Sequence, residues 1–190
     1  QNLINIQNSL ELKFKNLEIS KLPNIIAVSK TFKIEKILPL IEFGHLHYGE
    51  NKVQEAIDKW SDIKSQNTSL KLHLIGKLQT NKVKLSLKIF DYIHSVDSEK
   101  LANKIASEEV KIGRKVKIFA QVNIGNEPQK SGINKNEIKD LILFCKDIKL
   151  NLVGLMCIPP DDIDPTNYFQ EMNKINNDFG FSELSMGMSS

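Results

Sequence analysis

Ile25-Ile26-Ala27-Val28-Ser29-Lys30 is a short, largely apolar run with Pro23 before it and Thr31 after it, and it reads as a strand buried on both faces that ends on a charge. Strands of that kind occur where helices cover a parallel sheet, so the flanking segments should be helical. Upstream, Leu3, Ile6, Leu10, Phe14 and Leu17 recur at steps of three and four and predict a leading helix with one apolar stripe. Downstream, Ile34, Ile37, Leu38 and Ile41 predict a second helix.

The alternation then repeats. HLHYG from His45 predicts a strand, and Val53, Ala56, Ile57 and Trp60 a helix face. LKLHLIG from Leu70 predicts the next strand, after which Thr80 is placed as the cap of a helix running through Leu87. Tyr92 to Val96 is a strand, and Ser98 caps a helix whose inner face holds Leu101, Ile105 and Ala106. VKIFAQVNI from Val116 is a strand, followed by Ile138, Leu141, Ile142, Cys145 and Ile148 on one helix face. LVGLM from Leu152 is a sixth strand. Asp164-Pro165 opens a helix with Tyr168, Met172, Ile175 and Phe179 inward, and ELSM from Glu183 is a seventh strand.

Such βα repetition predicts an α/β parallel sheet, either closed as a TIM-type (β/α) barrel or open and doubly wound. The commonest nucleotide signature of the open form, a glycine-rich turn after the first strand, is absent, because that strand leads into SKTFK. This favours the barrel. A barrel of this type takes an eighth strand, so we expect residues 1–190 to be a single domain, C-terminally incomplete, with unpaired edges on strands one and seven. The chain also opens on Gln1, so the start of the reading frame is expected upstream.

Composition narrows the function. A hydrophobic content of 41% in 190 residues suffices for one core. The 26 basic residues nearly balance 23 acidic ones, and Arg114 is the single arginine, which disfavours a sequence-specific reader of nucleic acid. Cys145 and Cys157 lie in apolar contexts without paired spacing, as expected of buried, reduced thiols in a cytoplasmic protein. No apolar run approaches the roughly 20 residues of a membrane span, and QNLINIQNSL lacks the order of a signal peptide, so no membrane partner is expected.

In (β/α) barrels the functional face lies at the carboxyl ends of the strands. The residues found there are Lys30, Glu50-Asn51, Gly76, Asp97, Asn123, Pro159 and Ser185. Alternation puts Lys30 on the side of Ile26 and Val28, and Gln121 on the side of Asn123. If the Lys30 side is the interior, its ammonium is desolvated and its pKa lowered, and a neutral amine is the nucleophile that condenses with an aldehyde. The bland alternative is that Lys30 reaches out to water or pairs with Glu50.

IAVSKT at Ile26 to Thr31, YGEN at Tyr48 to Asn51, HLIGKLQTNK at His73 to Lys82, KSG at Lys130 to Gly132, GLMCIP at Gly154 to Pro159 and SMGMS at Ser185 to Ser189 are separated motifs in a fixed order. In them the sequence closely resembles the pyridoxal phosphate homeostasis proteins, the YggS/PROSC-like group, over nearly the whole chain. The resemblance implies the barrel of the alanine racemase amino-terminal domain and a role in vitamin B6 homeostasis without robust catalysis. It implies pyridoxal 5'-phosphate held as a Schiff base on Lys30, with Asn51 nearby, Ile75 and Met156 lining the ring pocket and Ser185 in the phosphate cradle. Lys130 would sit on a loop that influences cofactor release. The implied partners are the cofactor and pyridoxal-dependent apoenzymes, and the protein is expected to be a monomer. Two departures stand out. Phe32 occupies a position where the family often has a second lysine, and the family's RIG-like motif of the phosphate site does not occur.

Other constellations are weaker. His45 and His47, with His73 and His94 in reserve, could ligate a metal, but no spacing fixes a third ligand and ordinary structural histidines are expected. Glu108-Glu109 and Asp161-Asp162 are adjacent pairs expected to be solvated. Lys111, Arg114, Lys115 and Lys117 lack the interleaved aromatics of RNA binders. Asn81-Lys82 opens a helix that would either face an anion or be simply capped. The main functional rival is a pyridoxal-dependent racemase, which needs a second acid/base group, with Tyr48, Tyr92 and Tyr168 as candidates. A phosphate-binding barrel enzyme without pyridoxal is a third reading.

Overall fold

Seven parallel strands pair strictly in chain order, β1 with β2 through to β6 with β7. This computed structural model describes residues 2–18, 22–161 and 164–187; Asp162 and the Ser189 end of the SMGMS motif lie outside them. The elements are α1 (Asn2–Asn16), β1 (Ala27–Val28), α2 (Leu38–Glu42), β2 (His47–Glu50), α3 (Val53–Gln66), β3 (Lys71–Leu74), α4 (Val83–Ile89), β4 (Tyr92–Val96), α5 (Glu99–Ile112), β5 (Lys117–Val122), α6 (Ile138–Asp147), β6 (Leu152–Cys157), α7 (Thr166–Asp178) and β7 (Glu183–Met186). Sequential order separates a barrel from a doubly wound sheet, in which the strand order reverses. With right-handed crossovers every helix falls on the same side, and the opposite face curls on itself. Among the described residues the result is an open, TIM-type half-barrel with β1 and β7 at its edges.

The two faces of the sheet have different chemistry. Tyr48, Leu72, Leu74, Ile93, Ile118, Ala120, Leu155 and Cys157 point outward beneath the helices and are fully buried. They meet Ala56 and Trp60 of α3, Leu101, Ala102 and Ile105 of α5, and Leu141 and Cys145 of α6 in one apolar layer. Burial of each large side chain there contributes about 1.5–3 kcal/mol. The other face carries Val28, Gly49, His73, Tyr92, Lys117, Phe119, Gln121, Met156 and Ser185 by register. Because β1 is an edge, its inner Val28 stays 44% exposed.

Local departures from the sequence reading have simple causes. The second helix is broken into a 3-10 turn at Ile34–Lys36 and the short α2, whose first turn contains Pro39; proline supplies no N–H to continue the ladder. Thr80 is the first residue of a 3-10 turn, Thr80–Lys82, with no side-chain cap preceding it. Asn81-Lys82 therefore lie inside that turn, ahead of α4. Ser98 does cap α5, accepting from Leu101 N at 3.4 Å. Asp164 caps the last helix, accepting from Thr166 N at 3.0 Å, while Pro165 occupies the N-cap position rather than the first helical one.

Glu108 and Glu109 are not solvated. They are 4% and 2% exposed, because α5 turns back into β5 across its own last turn. Glu109 accepts from Val116 N at 2.8 Å and from Lys115 at 2.8 Å, and Glu108 accepts from Lys104 and Lys111. Those two ammonium groups hold the Glu108 carboxyl down at about 2. Arg114 is bonded to Asp91 and to the Leu87 carbonyl, and Lys117 to Glu183 at 2.7 Å. Every cation of the basic stretch thus has an internal anionic partner.

Candidate functional site

The inner face is best located at Gly49. A Cβ there would lie 3.1 Å from Ile26 Cγ2 and 3.2 Å from Ile75 Cδ1, so the missing side chain lets residues of β1 and of the β3 end meet across β2. Register makes Val28, Gly49 and His73 neighbours on this face. Beyond the strands, Lys30 stands in the turn after β1, Asn51 in the bend after β2 and Ile75 directly after β3, each at a carboxyl end. Chain pairing continues to that point, since Ser29 N donates to Gly49 O and Ile75 N to Glu50 O, both at 2.9 Å. Met156 and Ser185 are direct register partners on β6 and β7. Ile75 lies against the inner face at Gly49, and Met156 and Ser185 share that face directly, while Lys30 and Asn51 stand in the turns that follow β1 and β2.

Lys30 is half-buried and stands in a tight turn in which Phe32 N donates to Ser29 O at 3.2 Å. Thr31 supplies the left-handed residue of that turn, φ 69°, a conformation costing a β-branched residue on the order of 1–2 kcal/mol. What holds the turn lies behind the sheet. Glu50 is fully buried, and its Oε1 accepts from Ser29 Oγ at 2.7 Å, Lys59 Nζ at 2.9 Å and Trp60 Nε1 at 2.9 Å. Lys59 Nζ also donates to Ser29 O at 2.8 Å. The partner of Glu50 is thus Lys59 and not Lys30. Its Oε2 is buried without a hydrogen-bond partner.

Beneath the carboxyl-terminal layer the interior is crossed by imidazoles. His47 Nδ1 lies 3.0 Å from His73 Nε2, His73 Nδ1 lies 2.9 Å from His94 Nε2, and His94 Nδ1 lies 2.8 Å from Ser185 Oγ. Tyr92 stacks on His73 at 4.1 Å and Phe119 on His94 at 4.4 Å. Desolvation holds His73 down at about 2 and His94 at about 3, the former helped by His94 and His47 beside it. Both rings are neutral at ordinary pH. The expectation of ordinary structural histidines does not include their connection, since a single strand shows its own parity but not the register that aligns three strands. No cluster capable of holding a metal exists among the described residues.

Two predicted amides are committed elsewhere. Asn123 Nδ2 donates to Glu127 O at 2.8 Å and its Oδ1 accepts from Glu127 N at 3.0 Å, while Gln121 Nε2 donates to Ser131 O at 3.3 Å. Both serve the loop after β5, which folds back so that Ile133 N reaches Gln121 O. Lys130 in that loop is tied to Pro159 O at 2.9 Å and to Glu127. The candidate second bases are also occupied or misplaced. Tyr48 faces outward, donates to His45 O at 3.1 Å and is pushed up to about 12 by burial. Tyr92 starts β4, at the amino end, and Tyr168 is a residue of α7 packed against the core.

Residues 12–189 match the family described as "Alanine racemase, N-terminal domain". The chain is 32% identical to the pyridoxal phosphate homeostasis protein of Pasteurella multocida, covering 99% of this chain and 86% of that one. It is 36% identical to the protein of the same name from Buchnera aphidicola, covering 91% and 74%. Among solved structures, PipY of Synechococcus elongatus with PLP bound aligns at a TM-score of 0.75 and 30% identity, over 95% of this chain and 90% of that chain. Alanine racemase of Clostridium difficile aligns at a TM-score of 0.70 and 15% identity, over 94% and 49%; at that identity the likeness shows the fold alone.

Proposed function

Because the chain belongs to the pyridoxal phosphate homeostasis protein family, we propose that it carries pyridoxal 5'-phosphate on the Lys30 amine and serves intracellular vitamin B6 homeostasis rather than turnover of a substrate. What supports this reading is that Met156 and Ser185 are register partners on the inner face and that Lys30, Asn51 and Ile75 follow β1, β2 and β3 at their carboxyl ends. The donor set suits such a ligand. It offers an amine, an amide and a hydroxyl around the apolar side chains of Ile75 and Met156, matching an aldehyde, a ring and a phosphate. When bound, the cofactor supplies an aldehyde for the amine and an electron-poor ring. The protein's part is to hold Lys30 on a strained turn clamped from behind by Glu50, to keep Asn51 within the same layer, and to present the Ser185 hydroxyl from β7.

The same geometry speaks against the racemase reading. Racemisation requires an acid/base group on each side of the reacting carbon, and of the candidates Tyr48 faces outward beneath the helices, Tyr92 begins β4 at its amino end, and Tyr168 is a residue of α7 packed against the core. Among the described residues no helix is long and apolar enough to cross a membrane. The test is spectroscopic. The protein mixed with pyridoxal 5'-phosphate should gain the absorption band of a lysine-bound cofactor, and Lys30→Ala should lack it. A band of full intensity in the variant reassigns the attachment site.

A further inference from the structure

The imidazole series has a property its members lack singly. A neutral imidazole has one N–H and one lone pair, so in a row of neutral rings the tautomer of one fixes the tautomer of all. His73 and His94 are 4% and 1% exposed, flanked by stacked rings that offer no alternative hydrogen-bond partner. Two arrangements remain. In one, each ring carries its proton on Nδ1, so that His94 donates to Ser185 Oγ and the serine O–H is free to donate outward. In the other, Ser185 donates inward to His94 Nδ1, and each ring carries its proton on Nε2.

A phosphate dianion has only acceptors, and accepts a hydrogen bond from Ser185 only when the serine's proton points outward. We propose that His47, His73 and His94 form a polarity relay that sets Ser185 as a donor to a phosphate-bearing ligand and carries the state of that site to His47. His94 is on this account a positioning residue. The far end is accessible: His47 lines a cavity of about 360 Å³ between α1 and the amino ends of β1 and β2, shared with Leu10, Ile25 and His45. The switch between arrangements balances without a charged ring. Ser185 gains a proton from a phosphate monoanion or from water on its outer side, one proton moves across each link, and His47 Nε2 releases one into the cavity.

The inference rests on the reading of Ser185 as a phosphate contact, and its test separates the two. In protein labelled with 15N at histidine, two-bond 1H–15N correlations report the tautomer of each ring. Pyridoxal 5'-phosphate should move His47, His73 and His94 together to the Nδ1–H form, whereas pyridoxal, lacking phosphate, should leave them as in the free protein. Ser185→Ala should abolish the response at His47. If the cofactor produces its absorption band while the three tautomers stay fixed, or if the response survives in Ser185→Ala, the relay is wrong and the functional reading stands. If no band forms at all, both fall.

Discussion

Lowering the pH from 8 to 5 should weaken the fold through two residues that no solvent touches. His73 and His94 are buried and held at about 2 and about 3, while in the unfolded chain each returns to its ordinary value near ~6.5. The folded pKa is the depressed one. Each ring's contribution is therefore fully present above the unfolded pKa and is lost as pH falls below it, because the unfolded state then binds a proton that the folded state refuses. The slope approaches about 1.4 kcal/mol per pH unit per imidazole. Between pH 8 and pH 5 each ring costs about 2 kcal/mol and the pair about 4 kcal/mol, a large part of the roughly 5–15 kcal/mol that holds a domain together. His45 and His47 are displaced in the same direction by burial, but their partial exposure reduces what they add.

Urea titrations at half-unit intervals across this window give the slope directly. The sole tryptophan, Trp60, is fully buried against Tyr48 and bonded to Glu50, so its fluorescence reports global unfolding. His94→Gln should remove about half of the pH dependence. A stability that stays level between pH 6.5 and pH 5 would mean that the interior imidazoles titrate as freely as those of the unfolded chain, and the neutral relay could not exist.

Glu50→Ala should destabilise by about 3–5 kcal/mol, since it strands the Lys59 ammonium, 13% exposed, in a desolvated site; pairing it with Lys59→Met should restore part of the loss, and a double variant no better than the single one would show that Glu50 acts through packing alone. Gly132→Ala should cost more than about 1 kcal/mol and loosen the loop after β5, because that residue has φ +117° and an added Cβ would lie 2.6 Å from Asn123 N; urea midpoints equal to those of the unaltered protein would refute the strain.

The order of strands and helices was legible because burial on both faces leaves uninterrupted apolar runs, and β4 and β7 begin and end where the runs do. Lys30, Asn51 and Ser185 were legible from their places at the ends of apolar runs, whereas Ile75 and Met156 came only with the family's motifs; that Met156 and Ser185 share a face rests on register, which is a pairwise property. The same limit hid the relay. HLHYG, LKLHLIG and YIHSV each show a histidine of inward parity, yet nothing along the chain says that the three stand at bonding distance. Glu108, Glu109 and Glu50 were misjudged or underweighted for a related reason. A carboxylate's burial depends on which cation arrives from elsewhere, Lys115 for Glu109 and Lys59 for Glu50, and sequence distance does not disclose it.

The two faces of the sheet bury different chemistry, and the difference bears on the proposed role as a holder of a cofactor. Outside, the buried Glu50 carboxylate is paired with Lys59 at 2.9 Å behind the Lys30 turn. Inside, desolvation keeps His73 and His94 neutral, and His94 Nδ1 lies 2.8 Å from the Ser185 hydroxyl. On the proposed reading such a site would grip a phosphate and present an amine while offering little driving force for proton transfer to carbon, because a ring held at about 3 is a poor base at neutral pH. Converting the holder into a catalyst would require a group with a pKa near the working pH at the carboxyl ends of the strands, and raising His94 toward its ordinary value would be the wrong route, since its ring lies a layer below and already spends both nitrogens on His73 and Ser185.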